Sequence, residues 1–210
     1  MKEIQKRPEP RLLTEYRLSG NGYDGPNFTP VVKDEIKLSL LQEQGHLCAY
    51  CMARITLETM KVEHWACQSN FPLQQLDYSN LLGCCMGGEG SKYVEQTCDS
   101  RKGNKALKYN PSNPQSRIDS LIKYDGQGVI SSIDEEFSVE LNTVLNLNKE
   151  RLIENRRSIL KSIRITLSSK KGKRTKTEIR QLLQNYMNLN AHDQLKEYCG
   201  LVHYYLSSKL

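Results

Sequence analysis

Two cysteines separated by two residues, Cys48-Ala-Tyr-Cys51, place a pair of thiolates where one metal ion can bind both across a tight turn. Such a half-site needs a second pair to complete a tetrahedron, and Cys98 with either Cys84 or Cys85 can supply it. A CxxC can also be a redox pair, but no thioredoxin-like βαβ pattern surrounds this one, so four thiolates around zinc is the expectation. Spacing does not choose between the vicinal cysteines; the turn glycines Gly87 and Gly88 favour Cys85, giving Cys48, Cys51, Cys85 and Cys98 as the structural zinc set. Between the two cysteine pairs stand Val62-Glu63-His64-Trp65 and Asp77-Tyr78-Ser79-Asn80-Leu81-Leu82, and the last cysteine opens Cys98-Asp99-Ser100-Arg101-Lys102-Gly103. An imidazole that is neutral near pH 7, such as that of His64, can take a proton from water, so the segment has the makings of a hydrolytic site.

That order of CxxC, Glu-His, Asn-Leu, Cys, and then Cys-Asp with Lys-Gly resembles the zinc-bearing HNH nucleases, whose ββα hairpin carries the catalytic residues. The resemblance implies His64 as general base, Glu63 and Asp99 as ligands of a catalytic divalent cation, and Asn80 as the residue that ties the hairpin loop and orients the histidine strand. Asp99 stands where the family has Asn or His, and hard carboxylate oxygens favour Mg²⁺ or Mn²⁺ there, apart from the soft thiolate zinc. Arg101 and Lys102 are candidates for phosphate contact, with a solvated charge as the equal alternative for Lys102. The insert Met86 to Thr97 is longer than the usual two residues of a second knuckle, which is the main departure from the pattern.

Glu43-Gln44-Gly45 ahead of the knuckle, and Leu145-Asn146-Leu147-Asn148 followed by Leu152 and Arg156, are similar to a narrower group, the PtuB-like HNH subunits of Septu and retron-type antiphage systems. Membership would imply an effector nuclease cutting DNA or RNA, tRNA included, and an ABC or SMC-like ATPase partner of the PtuA kind. In retron versions it would add a reverse transcriptase with its RNA-linked DNA. The alternative is a catalytically inactive zinc-dependent module that binds nucleic acid or scaffolds the same complex. A pure scaffold would need the cysteines but would have no use for a base and two hard ligands, which favours the enzyme.

Composition sets the frame. The chain has 210 residues, 38% hydrophobic and 26% charged, within the globular range. No run of about eighteen apolar residues exists and the N-terminus lacks the apolar stretch of a secretory signal, so a cytoplasmic protein without membrane contact is expected. In that reducing compartment an odd count of seven cysteines points to metal ligation with spare thiols, Cys67 and Cys199 among them. The net charge of +6 is weak support for a nucleic-acid partner. Its distribution says more, because Lys149, Arg151, Arg156, Arg157, Lys161, Arg164, Lys170, Lys171, Lys173, Arg174, Lys176 and Arg180 face only Glu150, Glu154 and Glu178.

The elements that must position these residues read as an α+β fold, mostly helical, with a zinc-stapled ββα module. Residues 1–45 form an arm without regular structure, then a leading helix from Lys33 that ends at Gly45. Residues 46–110 form the nuclease module, held by metal more than by a core. Residues 111–210 begin with a hairpin in Ile122 to Ile133, turning at Gly126 to Gly128. A helical region follows, in Val139–Asn148, Lys149–Leu167, Thr175–Leu189 and a last segment, and the core is expected there.

Overall fold

The computed structural model describes residues 1–210. Its arm is more ordered than its Pro and Gly content suggests: α1 (Arg11–Leu18) forms directly after Pro10, and Leu13 and Tyr16, three positions apart, bury on one face. Pro10 precedes the helix, where its fixed φ and missing N–H cost nothing, so the breaker residue marks a start. The leading helix, α2 (Pro30–Glu43), opens earlier than expected, with Pro30 at its first position and the Thr29 hydroxyl accepting from the Val32 N–H. It stops at Gln44, and Gly45 follows with φ of 57°. A β-carbon there would lie 2.5 Å from Leu195 Cγ, so glycine is required by contact as well as by conformation.

The knuckle follows, closed by a single bridge between Leu47 and Arg54. Strands β1 (Met60–His64) and β2 (Leu81–Cys85) pair antiparallel, Met60 opposite Cys85 and His64 opposite Leu81. The short helix α3 (Cys98–Lys102) packs on β2, completing a β-β-α unit. A one-turn helix α4 (Ile118–Leu121) leads into the second hairpin, β3 (Ile122–Tyr124) with β4 (Ile130–Ser132), at the expected place. Then come α5 (Glu135–Thr143), α6 (Glu150–Ser168), α7 (Lys176–Met187) and α8 (Cys199–Ser207). The result is an α+β fold of eight α-helices and two two-stranded antiparallel sheets.

The core lies elsewhere than in the C-terminal helices alone. A cluster of 34 buried residues runs from Met1 and Leu13 through Ile36, Tyr50, Ile55, Leu81 and Leu82 to Phe137, Leu145 and Leu160. Only four buried residues, Ile163, Ile179, Val202 and Leu206, form a separate cluster between α6, α7 and α8. The knuckle and its β-β-α unit are therefore part of the main core as well as a candidate metal site. Wholly buried side chains of this kind contribute about 1.5–3 kcal/mol each before entropy is counted. Buried Arg156 joins the parts: it donates to the carbonyls of Gly128 and Leu147 and to Asn148 Oδ1, fastening α6 to the hairpin turn and to the loop after α5.

Candidate metal centre and active site

The sulfurs of Cys48, Cys51, Cys85 and Cys98 all lie within 4.8 Å of one another. Zinc–sulfur bonds of about 2.3 Å in a tetrahedron put thiolates about 3.8 Å apart. Cys51 Sγ and Cys85 Sγ are 3.8 Å apart, too far for a disulfide and at the tetrahedral edge. Each thiol arrives by a different local device. The Met52 N–H donates to the Cys48 carbonyl to close the knuckle, Cys85 ends β2, and Cys98 opens α3 with φ of 56°. The long insert is reconciled with this geometry at its base. The Thr97 N–H donates to the Gly87 carbonyl at 2.8 Å, and a β-carbon on Gly87 would lie 2.1 Å from the Thr97 oxygen, so only glycine lets Cys98 return beside Cys85. Burial would push the Cys48 thiol up, yet hydrogen bonds from Cys51, Cys84, Cys85 and Cys98 hold it well below its ordinary value, while Cys51 and Cys98 are pushed up by Cys48. The thiolate is thus favoured at Cys48, with its neighbours' S–H groups turned toward it. Cys84 is buried beside Cys48 but outside the group of four.

Alternation along β1 sorts the catalytic candidates. Lys61 and Glu63 lie across from Cys84 and Leu82 and share one face of the hairpin, onto which α3 brings Asp99 and Lys102. Glu63 is buried, accepts from the Tyr50 hydroxyl at 2.9 Å and pairs with Lys102 Nζ at 2.8 Å. Asp99 pairs with Lys61 Nζ at 2.9 Å. The two carboxyl groups act on each other in opposite directions. Burial and the facing Asp99 push Glu63 well above the usual carboxylate range. Burial pushes Asp99 the same way, but hydrogen bonds with Glu63 and Lys61 outweigh it and hold Asp99 below its usual value. Two carboxylates sharing negative charge in a sheltered site are hard-cation donors.

His64 projects from the other face of β1. Its Nε2 is 2.9 Å from the Gln75 carbonyl, which fixes that nitrogen as the N–H, and its Nδ1 accepts from the Gln68 amide at 3.2 Å. Tyr23 from the arm meets the ring edge to face at 4.5 Å. Burial lowers the imidazole below its ordinary pKa, despite the opposing pull of the Gln75 carbonyl, so it is neutral near pH 7 with Nδ1 as the acceptor. The structure thus brings the carboxylates together, whereas the imidazole makes its hydrogen bonds elsewhere and feels Asp99 only through its charge. Asn80 is buried in the loop between the strands. Its Oδ1 accepts from the Ala66 N–H at 2.7 Å, and its Nδ2 donates to the carbonyls of Ala66 and Gln74 at 3.0 and 3.1 Å.

The basic residues need correction. Lys102 is neither a solvated charge nor free to meet a phosphate: it is 1% exposed, and besides Glu63 its ammonium donates to the His64 carbonyl at 3.1 Å. Arg101 lies over the Tyr93 ring at 3.6 Å and donates to the Tyr93 carbonyl. The strip from Lys149 to Arg180 is also less free than its composition suggests. Arg156 is internal, Lys149 pairs with Glu95, Arg151 donates to Thr97 Oγ1 and Arg164 donates to the Gly126 carbonyl. Tyr50 and Lys61 escaped sequence reasoning although signals existed, since Tyr50 sits inside the knuckle and Lys61 lies two residues before Glu63 on the same face. Gln75 acts through its backbone and left no signal. No helix is long and apolar enough to cross a membrane.

No family model matches the chain. Among curated proteins it is 33% identical over 96 residues to the Septu protein PtuB of Bacillus thuringiensis, a match covering 45% of this chain and 34% of that protein. The chain thus spans about a third of that relative's length. It is also 30% identical over 149 residues, 66% of this chain, to the protein named "Retron Vc95 putative HNH endonuclease" of Vibrio cholerae serotype O1 biovar El Tor. With that second match spanning 70% of the retron protein and the first falling on a PtuB, the chain belongs to the PtuB-like HNH family.

Proposed function

We propose that this protein is a metal-dependent HNH endonuclease that hydrolyses phosphodiester bonds of DNA or RNA, tRNA among the candidate substrates, as the effector of an antiphage defence complex. The observation that carries the reading is the paired carboxylates of Glu63 and Asp99 on one face of a β-β-α unit, with a neutral His64 at the end of the same strand. Their donor chemistry fits a small hard cation, and the four cysteines fit zinc. Glu63 and Asp99 would hold Mg²⁺ or Mn²⁺, which supplies charge stabilisation for the departing oxygen. Zn²⁺ on Cys48, Cys51, Cys85 and Cys98 would be structural. His64 Nδ1 takes the proton of the attacking water once the Gln68 amide moves aside, and the Gln75 carbonyl stabilises the imidazolium that forms. Asn80 keeps the loop that carries Gln74 and Gln75 in register with β1, so that this hydrogen bond persists.

The partners proposed from the family are an ABC or SMC-like ATPase of the PtuA kind, and in a retron setting a reverse transcriptase with its RNA-linked DNA. A second reading, an inactive zinc-dependent binding or scaffolding module, is favoured by one observation: lysines already neutralise both carboxylates. Incubating the chain, with and without the ATPase partner, on plasmid, single-stranded DNA and tRNA in Mg²⁺ or Mn²⁺ separates the two. Under the enzyme reading the wild type cleaves and His64→Ala loses about 10²–10⁴-fold in rate, the range for a general base. Equal rates from both proteins refute it.

A further inference from the structure

The loop that follows His64 encloses a cavity of about 200 Å³ that no step above uses. Trp65 and Phe71 give it aromatic walls; Asn70, Gln74 and Asn104 bring exposed amides, and Lys105 one cation. Two features of these walls are unexplained by folding. The Trp65 indole N–H is buried and has no hydrogen-bond partner, a cost that folded proteins rarely carry. Phe71 leaves 45% of its surface in water at the cavity wall. The volume falls below the roughly 300–1,000 Å³ of pockets for drug-sized ligands, leaving room for a single ring system.

We propose that this cavity is a nucleobase subsite, and that it selects the nucleotide next to the bond cut at His64; the link to cleavage rests on the nuclease reading above. Flat aromatic walls stack any base, and side-chain amides, which each carry donors and an acceptor, read the edge that distinguishes one base from another. Lys105, also bonded to the Tyr93 hydroxyl at 2.7 Å, places a positive charge at the rim for the attached phosphate. The chain direction makes the coupling short: Trp65 is adjacent to His64, and Asn80 binds both Ala66 and Gln74, so one side chain holds the pocket loop and the imidazole's carbonyl partner in a fixed relation.

The chain has a single tryptophan and it lines this cavity, so its fluorescence responds to what enters there. Zinc-loaded full-length protein without Mg²⁺ or Mn²⁺ is titrated with AMP, CMP, GMP and UMP, and with ribose 5-phosphate as the base-free control. The expected result is a saturable change with at least one nucleotide, none with the sugar phosphate, and at least about tenfold weaker binding by Asn70→Ala/Asn104→Ala, whose exposed positions leave folding intact. The proposal is overturned if no nucleotide saturates the signal, if ribose 5-phosphate gives the same response, or if the double variant binds as the wild type does. Because no cleavage is needed, a protein that binds bases but cuts nothing refutes the nuclease reading and keeps the pocket. A protein that cuts but shows no response does the reverse.

Discussion

Glu63 is gripped from two sides, by the Tyr50 hydroxyl and by the Lys102 ammonium, in a place where neither charge reaches water. Removing one partner of a buried pair leaves the other uncompensated, which costs about 3–5 kcal/mol, while replacing both is far milder. Lys102→Met is therefore expected to lose about 3 kcal/mol in urea unfolding, and Glu63→Gln/Lys102→Met to recover most of that loss. Equal stability of single and double variants would show that the pair is not coupled. The clustering of Cys48, Cys51, Cys85 and Cys98 was legible because thiol type and spacing announce a shared ion, and the order of Glu63 and Asp99 singled out two carboxyl groups that the fold brings to one face. Lys102 was misread because a charged residue near a motif looks like a substrate contact until burial is known. The hydrogen bond from His64 to the Gln75 carbonyl was invisible, since any residue at position 75 presents the same oxygen.

Among the elements, α7 shows how a sequence can write its own start. Thr175 and Glu178 form a reciprocal capping box, and Lys170 also bonds Glu178 at 2.6 Å. The Lys170 hydrogen bond and the Thr175 N–H hold the Glu178 carboxyl down at about 2, against 4.5 ordinarily. A carboxyl whose folded pKa is depressed adds stability above its unfolded pKa, and that stability is lost as pH falls through the folded value. The difference in urea midpoint between wild type and Glu178→Gln should thus be full above pH 4.5 and close as pH approaches 2; a difference independent of pH would contradict the cap. The segment expected to be helical from Thr175 starts there, and α6 and the second hairpin also follow their patterns. The expected helix through Asn148 stops at Thr143 instead, because Asn146 takes φ of 52° and its amide turns to the Gln96 carbonyl, a tertiary demand that periodicity does not record. Helix α1 was missed because prolines and glycines outvoted a short apolar stripe.

At the scale of the molecule, metal and core are expected to stabilise the same unit. Elemental analysis should find about one zinc per chain, and Cys98→Ser or chelation should broaden thermal unfolding, because a structural zinc site forms only in the folded state. A chelated protein that melts with unchanged midpoint and sharpness would show that the thiols are ordinary core residues. The core's position was not legible, since long-range packing of Leu13 and Ile36 against the module depends on the path of the chain, which composition does not encode.

The Cys98 N–H, at the fourth sulfur, donates to the carbonyl of Leu145, in the loop that links α5 to α6. One corner of the thiolate set is therefore anchored by the far half of the polypeptide. Cobalt placed in that site would act as a strain gauge: its thiolate absorption should shift when the distant helices are pulled or loosened, giving an optical signal for changes that never touch the sulfurs.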